Sequence, residues 1–277
     1  MTIGFIGLGQ IGRMLAGQWV QGAAPVLVYD IVPAAVDELV KAGAGSAATP
    51  AELAKRASII GLCVRDDNDV NNLLYGADGL FENAQPDTII AIHSTVTQDA
   101  ILNWHRDGQA KSIHVVDAPV TRGVEPGTFC YMLGGDNALA DRVAPILAQG
   151  GNKVVAAGKI GAGIALKLCN NLMSFSAFIA MHEAYRLGDA CGLDMNLLYE
   201  VGKANGVVTP QMALFLSGRN QSALAGDEVL HKNFAPAAGL GKKDLSLALK
   251  SAEKLGVRLP ATERNRDLVE DAFLARY

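Results

Sequence analysis

The stretch Thr2-Ile3-Gly4-Phe5-Ile6-Gly7-Leu8-Gly9-Gln10-Ile11-Gly12 decides the fold. Its first five residues read as a short apolar strand, and the run that follows through Met14, Leu15 and Trp19 reads as a helix. Between them the glycines fit a dinucleotide fingerprint. Gly7 permits a tight turn, Gly9 lets backbone approach a pyrophosphate, and Gly12 lets helix pack closely on strand. Leu8, Gln10 and Ile11 complete the loop and are expected beside the phosphates, at which the helix amino terminus aims free N–H groups and a partial positive charge. A second apolar strand, Pro25 to Asp30, supplies the context without which the pattern would be only a glycine-rich turn.

Asp30 ends that second strand, where an acidic residue is expected to accept hydrogen bonds from the adenosine ribose and to repel a 2′-phosphate. The next residue is Ile31, so no adjacent arginine could hold such a phosphate. The expected cofactor is therefore NAD, with NADP disfavoured. The competing reading of Asp30, before Pro33, is a turn former.

The chain has 277 residues, enough for about two domains. Hydrophobic residues make up 50% and charged residues 19%, which suits a packed core rather than disorder. Net charge is −4 and no basic stripe occurs, so no nucleic-acid partner is expected. The first strand starts at the second residue, leaving no room for a secretory leader, and no uninterrupted apolar run reaches the ~18 residues of a membrane span. A cytoplasmic protein with no membrane partner is the expectation. Cys63, Cys130, Cys169 and Cys191 are scattered and the histidines show no ligand spacing, so neither a metal site nor a disulfide framework is expected.

To about residue 160, β-branched runs alternate with helical segments. Strands are predicted at Ile59 to Val64, Thr88 to Ile92, Ile113 to Asp117 and Tyr131 to Leu133, and helices from Pro33 to Ala42 and after a capping box at Thr49 and Glu52. Val64, ending its strand, is expected to line the cofactor crevice. Beyond Gly163 strand signals stop. Apolar residues surround the segment 164–190, as in a helix buried on several sides, and further helices are predicted at 194–203, 209–217, 244–255 and 262–275. The fold class is thus α/β: a Rossmann-type doubly wound parallel sheet over 1–160, then an all-helical substrate and oligomerisation domain over 161–277, entered through one long interdomain helix. The Gly and Ala content of 156–163 marks a hinge.

Lys167 and Asn171 are i and i+4 at the start of that helix and so share one face. An ammonium beside a hydride donor is the minimum apparatus for carbonyl reduction or alcohol oxidation. A lysine on an apolar helix start must be paired or used, because a buried isolated ammonium is costly.

Several blocks together resemble the β-hydroxyacid dehydrogenase family, whose members include 3-hydroxyisobutyrate dehydrogenases and tartronate semialdehyde reductases. They are the glycine fingerprint, Ser94-Thr95, Asp117-Ala118-Pro119-Val120-Thr121-Arg122-Gly123, Gly163 to Asn171, and Lys242-Lys243-Asp244-Leu245. The resemblance implies that Lys167 is the catalytic lysine and that Asn171 places the substrate. It puts Thr95 near nicotinamide and substrate, and Lys243 as a lysine reaching the active site from the helical domain, in some members from a neighbouring subunit. Thr121 and Gly123 fall where the family has the first and last residues of a Ser-Gly-Gly turn that binds the substrate carboxylate. Arg122 replaces the middle glycine, and the stretch from Gly123 to Gly127-Thr128 is short for the family. As a planar fork Arg122 suits a carboxylate, sulfonate or phosphate; the competing reading is a solvated loop arginine or one paired with Glu125.

The resulting expectation is an NAD-dependent oxidoreductase for a small anionic 3-hydroxyacid or semialdehyde, assembled as a homodimer or homotetramer. Two alternatives stand beside it. An imine reductase of the same fold would usually carry Asp or Tyr in place of the lysine, and a non-catalytic dinucleotide-binding module would be expected to lack it; Lys167 is present.

Overall fold

Four-residue runs of Ile, Leu and Val are too short for stable helices, and they form the central strands of the amino-terminal unit. In the computed structural model, which describes residues 1–123 and 125–276, these are β1 (Ile3–Ile6), β2 (Val26–Tyr29), β4 (Ile59–Leu62), β5 (Ile89–Ile92) and β6 (His114–Asp117). The two-residue β3 (Gly45–Ser46) flanks β2, while β7 (Val120–Arg122), β8 (Phe129–Gly134) and β9 (Lys153–Gly158) complete a sheet of nine described strands. The order is β3-β2-β1-β4-β5-β6-β8-β7, with β9 on β8. β3 to β6 are parallel, β8 runs antiparallel to β6 and β7, and β9 lies parallel to β8. Chain order reverses between β1 and β4, the crevice at which doubly wound sheets bind ligands.

The connecting helices are α1 (Gln10–Val20), α2 (Pro33–Lys41), α3 (Pro50–Arg56), α4 (Asp67–Leu74), α5 (Leu80–Asn83), α6 (Gln98–Gln109) and α7 (Asn137–Leu147). Several begin on side-chain caps. The Thr49 hydroxyl accepts from Glu52 N while the Glu52 carboxylate accepts from Ala48 N, and Asp66, Thr97 and Asp136 cap α4, α6 and α7. Beneath the sheet Trp19 meets Phe5 edge-on at 4.9 Å and the buried His93 ring stacks on Phe5 at 5.7 Å. Burial lowers the His93 pKa to about 4.

Helices α8 (Ala162–Ala190), α9 (Met195–Ala204), α10 (Pro210–Leu224), α11 (Asp227–Lys254) and α12 (Pro260–Phe273) follow. The chain divides into two compact units, Met1–Lys167 and Leu168–Tyr277, so the division falls inside α8. The core of the second unit gathers Ile179, Ala238, Leu245, Val269, Ala272 and Phe273, with Phe175, Phe178, Phe215 and Phe234 packed against it.

Several expectations are corrected. The helix predicted from 244 starts at Asp227 and runs through Pro236, because burial of Leu230, Ala238 and Leu245 outweighs the local proline penalty. Helix α8, expected to be buried on several sides, keeps Met173 and Leu187 each 68% exposed, so part of its apolar circumference is not covered within one chain. Residues 156–158 close β9, and Gly161 N, at the entry to α8, donates to Asp117 Oδ1. By length and composition α8 could cross a membrane, but it carries Lys167, Asn170, Asn171, His182, Glu183 and Arg186 along its length.

Candidate active site

Local geometry requires a glycine at two of the three fingerprint positions, Gly7 and Gly12. Gly7 has φ +94°, and a Cβ there would collide with the Cys63 carbonyl beyond β4. A Cβ on Gly12 would collide with the Gly7 carbonyl. Gly9 is the N-cap of α1 and faces open space, with nothing within 4 Å of where its Cβ would stand. No side chain caps α1, so its first-turn amides remain to be satisfied by a ligand or solvent. These features fit the diphosphate of a dinucleotide, with Leu8, Gly9, Gln10 and Ile11 supplying backbone.

Asp30 follows β2, and its carboxylate ties the loop to the strand. Leu8 N donates to Oδ2 at 2.5 Å and Val32 N to Oδ1 at 2.8 Å. The hollow beside it is lined by Tyr29, Asp30, Pro33, Asp37, Ser46 and Ala47 among others, with two carboxylates and, among the described residues, neither Lys nor Arg in its wall. Across the crevice Val64 N donates to Ser94 Oγ at 2.8 Å, which ties the end of β4 to the Ser94-Thr95 loop after β5. Asp67 holds the same loop further on, accepting from Thr97 N at 3.0 Å and Thr97 Oγ1 at 2.5 Å.

Thr121 and Arg122 lie on β7 and Gly123 just beyond it. Gly123 N donates to the Thr128 carbonyl at 2.8 Å, closing the turn to β8, so this amide is engaged in the turn rather than turned to a ligand. The short stretch after Gly123 includes Val124, outside the described residues. Arg122 is exposed and Thr121 half-buried.

Lys167 is only 8% exposed on the second turn of α8. The start of that helix is held from β6: Asp117, fully buried, accepts Gly161 N and Ile164 N at 2.8 Å each. Burial pushes the Asp117 carboxyl up, against the opposing effect of the N–H groups that bond it.

In the helical unit Asn171 is 6% exposed and donates from Nδ2 to Asp244 Oδ2 at 2.6 Å. A carboxylate only accepts, so this bond fixes which end of the amide points where. The Lys243 ammonium stands 3.6 Å from Asp244 Oδ1, an ion pair longer than a hydrogen bond. Asn170 is half-buried, its Nδ2 3.3 Å from Asn171 Oδ1.

Sequence reading assigned no role to Asp117, Ser94, Asp67 or Asp244. The first two and Asp244 sit inside the quoted blocks, and for Asp244 the place beside Lys243 is the sequence signal.

Residues 2–158 match the family of the NAD binding domain of 6-phosphogluconate dehydrogenase, and residues 161–276 match the family described as NAD-binding of NADP-dependent 3-hydroxyisobutyrate dehydrogenase. The 3-sulfolactaldehyde reductase of Escherichia coli (strain K12) is 32% identical over 281 residues, 99% of this chain and 91% of the relative. The 2-(hydroxymethyl)glutarate dehydrogenase of Eubacterium barkeri is 30% identical over 278 residues, 98% and 88%. Among solved structures, Mycobacterium tuberculosis 3-hydroxyisobutyrate dehydrogenase with L-serine matches with a TM-score of 0.79 at 24% identity, over 97% of this chain and 92% of that one, which speaks for the fold. The relatives are dehydrogenases and reductases, and this chain is an oxidoreductase with a nicotinamide dinucleotide as cofactor. With both family matches joined end to end over nearly its whole length, the chain belongs to the β-hydroxyacid dehydrogenase family.

Proposed function

We propose that this chain is an NAD-dependent dehydrogenase interconverting a small, strongly anionic 3-hydroxyacid and its carbonyl form, acting in the cytoplasm as a homo-oligomer. The observation that carries the reading is Lys167, nine-tenths buried on α8 with Asn171 one turn further on the same helix. The bound nicotinamide supplies or takes up the hydride. Lys167 holds the proton: in reduction its ammonium stabilises charge growing on the carbonyl oxygen and delivers a proton there, and in oxidation its neutral amine receives the hydroxyl proton. Asn171, its amide held by Asp244, orients the substrate oxygen. Thr95, Thr121 and Gly123 border the substrate, and Lys243 belongs to the same proposal as a cofactor-binding residue.

NAD is favoured over NADP because the Asp30 carboxylate ends β2 beside a hollow that also holds Asp37 and is lined by no cation among the described residues. A 2′-phosphate there would meet negative charge. The anionic preference rests on Arg122. With Gly123 N engaged in its turn, the guanidinium is the group in this motif best able to grip an anion. Two relatives point the same way by name, one toward a sulfonate and one toward a dicarboxylate.

A panel of small 3-hydroxyacids bearing a neutral group, a second carboxylate, a sulfonate or a phosphate, run with NAD and NADP, tests the reading. An acid with a second anion and NAD should give the highest kcat/KM. Arg122→Gly should raise KM for that acid about tenfold, the loss of a charge-assisted pair, with little change for neutral analogues. A variant that treats both classes as the wild type does would refute the role of Arg122.

A further inference from the structure

We infer that Asp117 is the positioning residue for Lys167: its buried carboxylate caps the first turn of α8 and so fixes where the lysine leaves the helix. The inference rests on the proposed catalytic role of Lys167, and every residue in it belongs to the amino-terminal unit.

A helix begins with backbone N–H groups that have no partner inside it, and the usual remedy is the side chain of the N-cap residue. Here Gly161 precedes the helix, with φ +83° and no side chain to offer. The cap comes instead from the end of β6. Asp117 Oδ1 accepts from Gly161 N and Oδ2 from Ile164 N, both at 2.8 Å. Gly161 is pinned at its other end as well, its carbonyl accepting from Gln98 Nε2 at 3.1 Å and from Ala165 N at 3.2 Å.

Two glycines make room for this carboxylate. A Cβ on Gly134, which pairs with Asp117 across the sheet, would collide with Asp117 Oδ1. A Cβ on Gly163 would collide with the Met132 carbonyl and stand 2.9 Å from Asp117 Oδ2. The neighbourhood is therefore shaped around the carboxylate of Asp117, and a negative charge there also suits the positive end of the helix dipole.

The functional consequence is distance. Lys167 lies four residues past Gly163, about 6 Å along the axis, so a small change of pitch or entry angle at the cap is passed almost directly to the ammonium. Misplacement of a catalytic group by about 1 Å can cost about 100-fold in rate. With Asp117→Asn the neutral amide could accept from one of the two N–H groups, but its NH2 would face the other; with Asp117→Ala the side chain could accept from neither.

The test uses the full chain with Asp117→Asn and Asp117→Ala, reading kcat, KM, NADH affinity by fluorescence and amide hydrogen exchange over 161–167. The expected result is a kcat lowered about 10- to 100-fold in Asp117→Asn and further in Asp117→Ala. KM and NADH affinity should stay within about twofold while the Gly161 and Ile164 amides exchange faster. Unchanged kcat overturns the inference, as does a loss of kcat matched by equal losses in NADH affinity and melting temperature, which would mark a merely structural residue. If neither variant folds, wild-type exchange decides: Gly161 and Ile164 amides as slow as those of β6 support the cap, and fast exchange overturns it. A Lys167→Ala variant with full turnover would sink the proposed function instead, and the exchange result would still stand.

Discussion

The two units use several of their polar side chains differently. In the sheet unit they hold backbone: Asp30 binds Leu8 N and Val32 N, Asp117 binds Gly161 N and Ile164 N, Asn152 Oδ1 takes Phe129 N, and Ser94 Oγ takes Val64 N. In the helical unit several hold one another, Asn171 to Asp244, Asn265 to Ser176, Asn233 to Ser222, and Arg219 to His182 and Asn220, although Arg219 and Ser176 also donate to the Ala272 and Leu172 carbonyls. The difference follows from the backbone. Strand ends and loops expose amides that must be satisfied, whereas long helices satisfy their own. Side chains that hold backbone build a rigid frame, and those that hold other side chains are available to be aimed.

The largest expected effect compares two residues on one helix. Lys167→Ala should lower kcat about 10²- to 10⁴-fold, the range for losing a general acid, with NADH affinity nearly unchanged. Asn171→Ala removes orientation rather than a proton, so its loss should be smaller, about tenfold, and divided between kcat and KM. Steady-state kinetics with NADH titration decides; equal losses in the two variants would break the distinction.

The same difference explains what was legible in the sequence. The cap at Thr49 has a local signature because its side chain holds backbone only three residues on, and the fingerprint and Asp30 are legible from their spacing along the first strand–helix–strand unit. The strand edges β3, β7 and β9 were missed because two or three residues, or a Gly-bounded run such as 153–158, give no clean alternation. The pairs of the helical unit join residues far apart in sequence, such as Asn171 with Asp244, and no period in the chain announces them. Helix α11 was half-read for a related reason: Pro236 is a local stop signal that packing overrides.

Acid should weaken both units, with burial the first cause in each. His93 in the sheet unit is held near pKa 4 by burial, and His182 in the helical unit is brought to about 4 by burial and then by the Arg219 cation. An unfolded histidine titrates near 6.5, so below that pH the unfolded chain binds protons that the folded chain refuses. Stability is then lost as pH falls from about 6.5 toward about 4, by roughly 3 kcal/mol for a fully buried imidazole such as His93. Urea unfolding between about pH 7 and pH 4.5 should show the slope, and His93→Gln should flatten it. A slope that His93→Gln leaves unaltered would remove His93 from the account.

A further contrast is apolar surface. Leu214 is 74% exposed, Leu224 90% and Met173 68%, all in the helical unit. We take a second copy of the chain as their cover, in keeping with the proposed homo-oligomer. Light scattering should find a dimer or larger, and Leu214→Asp should weaken association about tenfold or more, as loss of one well-buried interface side chain does. A wild type that remains monomeric at every concentration would refute the assembly.

An effect no larger than that of Asn171→Ala is expected at Asp30, where frame and specificity meet in one carboxylate. Both its oxygens already accept backbone N–H groups, from Leu8 and from Val32, so its charge is fixed at the end of β2. A fixed charge discriminates better than a mobile one, because it cannot swing away from a 2′-phosphate. Asp30→Ala should therefore narrow the NAD preference over NADP about tenfold in kcat/KM, roughly one opposed charge pair near the surface. Part of the narrowing should come from weaker NAD binding, since the Leu8 amide loses its anchor and the glycine loop its register. Asp30→Asn separates the two contributions: it keeps an acceptor for one amide and removes the charge. If the Asp30→Asn variant retains the full NAD preference, repulsion of the 2′-phosphate is not the cause, and Asp30 belongs to the frame alone.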